Sequence, residues 1–293
     1  MRKVEAGQAL VLVLLSLAVV LTVVLFILSR SITDISVSSG QAESVRAFSA
    51  AEAGIEKTLV VGAGSSSDIG DATYTTSVVD FSEGSTDFNY PVPLLSGDSV
   101  TTWFVAHDTD GGMICDATHP CFTGTALKVC WGNAGTPSNS AQTPAVEVSI
   151  YYKTDTANLT DFSTVRIARA ALDPYPSRAL TNSFAAADGS CQIGGVNYAF
   201  SKTITFSSMT TPIPAASYNT ERGLLFARVK LFYNDVAHNV ATQVTGTMLP
   251  SQGKDIVSTG TAGSSNRRIS VFQGWPEFTY FGNVLFTPSG VTK

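Results

Sequence analysis

Four cysteines, three histidines and one aspartate-rich turn are the residues of this chain whose types and spacing invite chemistry. The cysteines are Cys115, Cys121, Cys130 and Cys191. An even number, in a region read below as lying outside the cytoplasm, favours two disulfides, although four cysteines allow three pairings. Cys115 and Cys121 close a short loop around "DATHP" and are expected to pair, which leaves Cys130 for Cys191. A zinc site built from His119 with Cys115 and Cys121 competes for the same residues, but the spacing is not that of a known finger. The stretch "HDTDGG" (107–112) sets Asp108 and Asp110 beside two glycines, as part of a calcium loop would. The third oxygen ligand and the distant Glu of an EF-hand are missing, so an ordinary Asp- and Gly-rich turn is the expectation. No metal and no cofactor is expected.

Catalytic signals are equally sparse. His107, His119 and His238 stand in no nucleophile-elbow or HExxH setting, and no phosphate-binding glycine loop occurs. The chain therefore reads as non-catalytic. A secreted hydrolase on a β-scaffold would have to use those three histidines. Asn158-Leu159-Thr160 matches a glycosylation sequon, a pattern too common to carry weight alone.

Composition narrows the partners. Charged residues make up 14% of the 293, against about 25% in an average soluble domain. The formal net charge is −5, and no basic run occurs beyond the N-terminus. Binding nucleic acid through a broad positive surface is not expected, because that affinity needs clustered Lys and Arg.

The elements that must position these residues begin with an apolar run. From Ala9 to Leu28 no residue is charged, and only Ser16 and Thr22 are polar. At about 1.5 Å per residue such a helix is about 30 Å long, enough to cross the hydrocarbon of a bilayer. Arg2 and Lys3 precede it, so the positive-inside bias puts the N-terminus in the cytoplasm and the remainder outside. Removal after the span is not expected, because the best small-x-small site, Ser29-Arg30-Ser31, holds a bulky charge.

Helix formers persist past the span, and no proline appears before Pro91. Val45, Phe48, Ile55 and Leu59 fall on one helical face, with Glu52 on the same stripe. They are the expected packing residues, for docking onto the outer domain. Ala47, Ala50, Ala51, Ala53 and Gly54 leave the neighbouring surface small, where another helix could come close. A single helix over 9–59 would be about 77 Å long. No compact domain needs such a rod.

"VGAGSSSDIGD" (61–71) reads as a linker, and from residue 72 the periodicity switches to two. "ATYTTSVVDF", "AVEVSIYYK" and "LLFARVKLFY" are typical of the nine strand-like segments, rich in Val, Ile, Thr and aromatics. The fold class is thus α+β: one long N-terminal helix, then a large antiparallel β-sandwich over 72–293. "GNAGTPSNSAQTP" (132–144) is either a break between two lobes or a loop within one. Residues 256–273 read as a hairpin around "AGSSN". The aromatic "GWPEFTYFGNVLF" (274–286) either seals the sandwich or forms an exposed patch.

Two N-terminal features carry a family resemblance. A short basic leader ends in Ala6-Gly7 just before the apolar run, which resembles the leader of type IV prepilins. "RAFSAAEAGIEKTL" (46–59) is similar to the segment that follows the span in minor pilins of the PilX class, and "STGT" (258–261) is weakly similar to their C-terminal hairpin. The resemblance covers residues 1–60, about a fifth of the chain. It implies a leader over 1–7, cleavage between Gly7 and Gln8 by a prepilin peptidase, methylation of the new amine, and a helix over 8–60 with its span at 9–28. It also implies a route: a single-pass protein of the cytoplasmic membrane, held in lipid, joins other pilin subunits in a cell-surface filament. The head would serve adhesion, DNA uptake, secretion or motility, with its surface or DNA ligand unidentified. One departure matters. Major pilins carry a Glu where this chain has Leu12, which points to a minor, priming or tip component similar to the Glu-less pseudopilins of type II secretion. The alternative is a cell-surface binding protein held permanently by its N-terminal anchor.

Overall fold

The apolar run and the mixed segment after it form one unbroken helix, α1 (Ala6–Val61), in a computed structural model that describes residues 6–277. Side chains are described from residue 10 onward; residues 1–5 of the expected leader and most of the aromatic 274–286 segment lie outside the described residues. At 1.5 Å per residue α1 is about 84 Å long. It ends at Gly62, whose φ of +75° suits glycine and whose amide donates to the Thr58 carbonyl at 2.7 Å. Of the described helices, α1 is the one long and apolar enough to cross a membrane.

Sixteen strands follow among the described residues. In chain order they are β1 (Ser66–Ile69), β2 (Ala72–Asp80), β3 (Asp87–Asn89), β4 (Ser99–Trp103), β5 (Ala106–His107) and β6 (Met113–Ile114). Next come β7 (Gly124–Asn133), β8 (Ala145–Lys153), β9 (Val165–Asp173), β10 (Ala185–Ala186) and β11 (Cys191–Ile193). The last five are β12 (Val196–Thr205), β13 (Leu224–Phe232), β14 (Val240–Gly246), β15 (Gly253–Ala262) and β16 (Ser265–Gly274). The segments expected as strands are strands, except that "SVTTWFVAH" (99–107), expected as one, breaks at Phe104-Val105 into β4 and β5, which lie in different sheets. The short β3, β10 and β11 were not legible, since two or three residues show no period, and neither was the helix α2 (Pro176–Asn182), which opens on a proline at its first turn.

The chain divides into two compact units. Among the described residues, the first holds 6–78 and 256–271; the second holds 79–255 and 272–277. The division therefore does not fall at the expected linker. Residues 66–69 of that linker form β1, and the expected hairpin, β15–β16, belongs with the helix. The reason is physical: α1 past the span has a face that must be covered, and the sheet β1-β2-β15-β16 covers it.

The second unit is a sandwich of two five-stranded sheets, ordered β10-β9-β8-β13-β4 and β11-β12-β7-β14-β3. Pairing within them is antiparallel apart from β9 with β10. Alternate residues point inward from both sheets, as a period of two requires. Leu127, Val129 and Trp131 of β7 meet Val146, Val148 and Ile150 of β8 in one buried cluster. Residues 134–144 connect β7 in one sheet to β8 in the other, so this segment is a loop over a shared core. Arg178 ties it down, donating to the carbonyls of Ala141 and Thr143 while paired at 2.7 Å with buried Asp173.

Candidate functional site

In the first unit the sheet meets the smallest side chains of α1. Ala47, Ala50, Ala51, Gly54 and Thr58 are buried, and Ala47 and Ala50 cluster with Ala72, Tyr74 and Ala262. Two glycines set the closeness. A Cβ on Gly260 would overlap the Ala47 carbonyl, and one on Gly54 would overlap the Ser258 hydroxyl. Polar contacts fix the register along the helix. The turn after β15 donates to Glu43 from the Ser264 amide (2.9 Å) and hydroxyl (3.0 Å), bonds that hold the Glu43 carboxyl below its usual range. Arg267 reaches Ser44 at 2.8 Å, and Thr58 donates to Thr76 at 2.9 Å.

The docking face is therefore not the expected stripe. Ile55 is buried, but Val45 (66% exposed), Phe48 (46%) and Leu59 (41%) look outward, and Glu52 is exposed with them. The two faces lie about a third of a turn apart, at about 100° per residue. The small surface, read as a place for another helix, takes the sheet instead, because only small side chains let backbone approach backbone. What remains free is an apolar stripe on the far side of a docked helix. Arg46 pairs with Asp71 at 3.7 Å on the surface, a contact worth little in water. Gly7 and Gln8 lie in the first turn of α1, and Leu12 is exposed on the apolar span.

The second unit carries a cleft of about 440 Å³. Its walls include Asp80, Glu83, His107, Asp108, His119 and Lys254, with Trp275 beside them. Two histidines that sequence spacing left apart are thus brought to one place, because β5 and the disulfide-closed loop after β6 border the same hollow. His107 is only 8% exposed, with its ring stacked on Trp275 (4.9 Å, 12°) and edge-on to Trp103 (4.5 Å). Its Nδ1 is buried and has no hydrogen-bond partner among the described residues. Burial lowers its pKa to about 4, against a smaller upward pull from Asp108, so the ring is neutral at physiological pH.

The remaining predicted residues have structural tasks. Cys115 is bonded to Cys121, and Cys130 to Cys191, so no thiolate is left for a zinc site. Asp108 accepts from the amides of Asp110 (3.0 Å) and Gly112 (2.7 Å) through one carboxylate oxygen, which is how it shapes its own turn. Among the described residues no three His, Cys, Asp or Glu side chains converge as metal ligands. His119 sits against Asp116 at 3.0 Å. Buried His238 takes the Asn133 amide on Nδ1 at 3.1 Å, which makes it a structural acceptor.

Compared with family models, with curated proteins and with solved structures, the chain finds no match.

Sequence reading missed the sheet-docking residues, although Ala47, Ala51, Gly54 and Thr58 do recur at helical spacing. Apolar periodicity is weighted by size, so it passes over small side chains. It also missed the cleft, whose walls come from segments more than 100 residues apart in the chain, from Asp80 to Trp275.

Proposed function

We propose that this chain is a non-catalytic, minor pilin- or pseudopilin-like subunit of a type IV pilus or related secretion filament. One observation carries the reading: α1 keeps an outward apolar stripe, Val45, Phe48 and Leu59, along the very segment that docks on its own sheet. A permanent anchor needs apolar surface only within the bilayer. A helix that also packs among like helices needs it beyond. In this account the membrane stores the subunit, a prepilin peptidase cuts between Gly7 and Gln8, and the helix then leaves lipid for a filament core. Helix–helix contacts replace lipid contacts, so the apolar surface never meets water. Leu12 in place of a carboxylate fits a priming or tip position better than a repeating shaft. There it would leave a neighbouring amine unpaired.

Phe48→Glu tests this. A carboxylate on that exposed site leaves the thermal midpoint of the protein nearly unchanged, within about 0.5 kcal/mol of stability. Its recovery in sheared surface filaments should be abolished while its level in the membrane persists. Filament recovery equal to the unsubstituted chain would contradict the proposal. Leu12 also suits the second reading, a binding protein anchored permanently at the cell surface, in which Phe48→Glu changes nothing and residues 1–7 are retained.

A further inference from the structure

Between the span, which ends at Leu28, and the docked part of α1 lies a stretch of helix with no cover among the described residues. Residues 31–39 are exposed, and Gly40 is where the sheet is first met, its carbonyl accepting from the Ser265 hydroxyl at 3.4 Å. The first buried residue of α1 among those described is Ala47. The uncovered stretch reads "SITDISVSSG" (31–40). Its serines, Thr33, Asp34 and the β-branched Ile32, Ile35 and Val37 all rank below alanine and leucine as helix formers, and glycine ranks lower still. Against alanine each lowers helix propagation about two- to threefold, and glycine about fivefold, so the ten together lower it about 10⁴-fold. Interrupting a helix costs a factor of about 10³. The first effect offsets the second. Ile32, Ile35 and Val37 are exposed, so packing does not restore the balance.

Gly40 separates a joint from a merely weak helix. Gly54 and Gly260 answer to close approach, whereas a Cβ on Gly40 would meet nothing within 4 Å, and Gly40 lies inside the helix. Sterics do not call for glycine there. What it adds is conformational freedom, beside Ser39, in the Gly–Ser pairing at which helices kink. The Thr33 hydroxyl donates back to the Ser29 carbonyl at 3.0 Å, a bond that also bends helices. We propose that residues 31–40 are a hinge: the helix opens there reversibly, and the docked segment with its sheet swings against the span. Ten opened residues reach up to about 33 Å, against about 15 Å as helix. A permanently anchored protein and a filament subunit would both use such a joint, so this claim and the filament reading fail separately.

The test uses the full chain in micelles of a polyoxyethylene detergent. Hydrogen exchange should show the amides of 35–40 protected less than about tenfold, and those of 47–58 at least about 1,000-fold. A variant carrying Ser36→Ala, Ser38→Ala, Ser39→Ala and Gly40→Ala should raise the protection of 35–40 at least about tenfold and leave the thermal midpoint of the sheets unchanged. Spin labels on Ser29→Cys and Ser49→Cys, both exposed sites, read the same motion as a distance; the native cysteines are all disulfide-bonded and take no label. An unbroken helix gives one narrow distribution near about 30 Å. The hinge gives a broad one, which the four alanines narrow. Protection at 35–40 equal to that at 47–58, with a single narrow distance, overturns the proposal. So does a broad distribution that the four alanines leave unchanged.

Discussion

His107 shows how a single residue can couple structure to pH. Its burial lowers the folded pKa to about 4, whereas an unfolded histidine titrates near 6.5. Between those values the unfolded chain binds more protons, so stability falls as pH falls from about 6.5 to 4, by an amount on the order of 3 kcal/mol. His238 acts in the same direction, because burial lowers its pKa despite the upward pull of Asp235, and protonation would remove the acceptor of the Asn133 amide. The carboxylates held low by hydrogen bonds, Asp116 through the Thr118 hydroxyl and Asp161 through Ser163, lose their contribution only at more acid pH. Thermal midpoints of the full chain in detergent should therefore drop across pH 6.5–4, and His107→Phe should flatten that slope. A midpoint flat in that window contradicts the buried neutral imidazole. None of this was visible in the sequence, where a histidine in "FVAHDTDGG" carries no sign of its burial. The cysteine pairing was visible, since the five residues between Cys115 and Cys121 suit a short closed loop.

At the scale of elements, α1 presents two faces with different work. Gly260 is where the small face touches β15, and glycine there runs against strand preference, which favours valine. Gly260→Val should thus destabilise docking by about 1–3 kcal/mol even though it improves the strand. The readout is limited proteolysis with mass detection: cleavage after α1, within residues 62–65, should accelerate. Unchanged proteolysis would show that the backbone approach at Ala47 does not matter. The long strands were legible through alternation between core and solvent in β2, and through their Val, Ile, Leu and aromatic content in β8 and β13, which are buried almost throughout. The helix was legible in extent but not in orientation. Val45, Phe48 and Leu59 looked like the docking stripe because size and hydropathy mark what is apolar, and an apolar side chain can be reserved for a partner outside the chain.

At the scale of the whole molecule, the chain joins an apolar helix with its own small sheet to a disulfide-bonded sandwich bearing a cleft. The general layout, helix first and antiparallel sheets after, follows from composition and period. The placement of the β15–β16 hairpin beside α1 does not, because nothing local in "STGTAGSSNRRISV" names a partner more than 200 residues earlier. The central claim is that α1 is made to exchange lipid for like helices once its leader is gone. The most direct measurement is the intact mass of the chain isolated from native membranes and from sheared surface filaments. The account predicts a chain that starts at Gln8, carries a methylated amine and occurs in both fractions. A chain that still starts at Met1 and is found in membranes alone would contradict it.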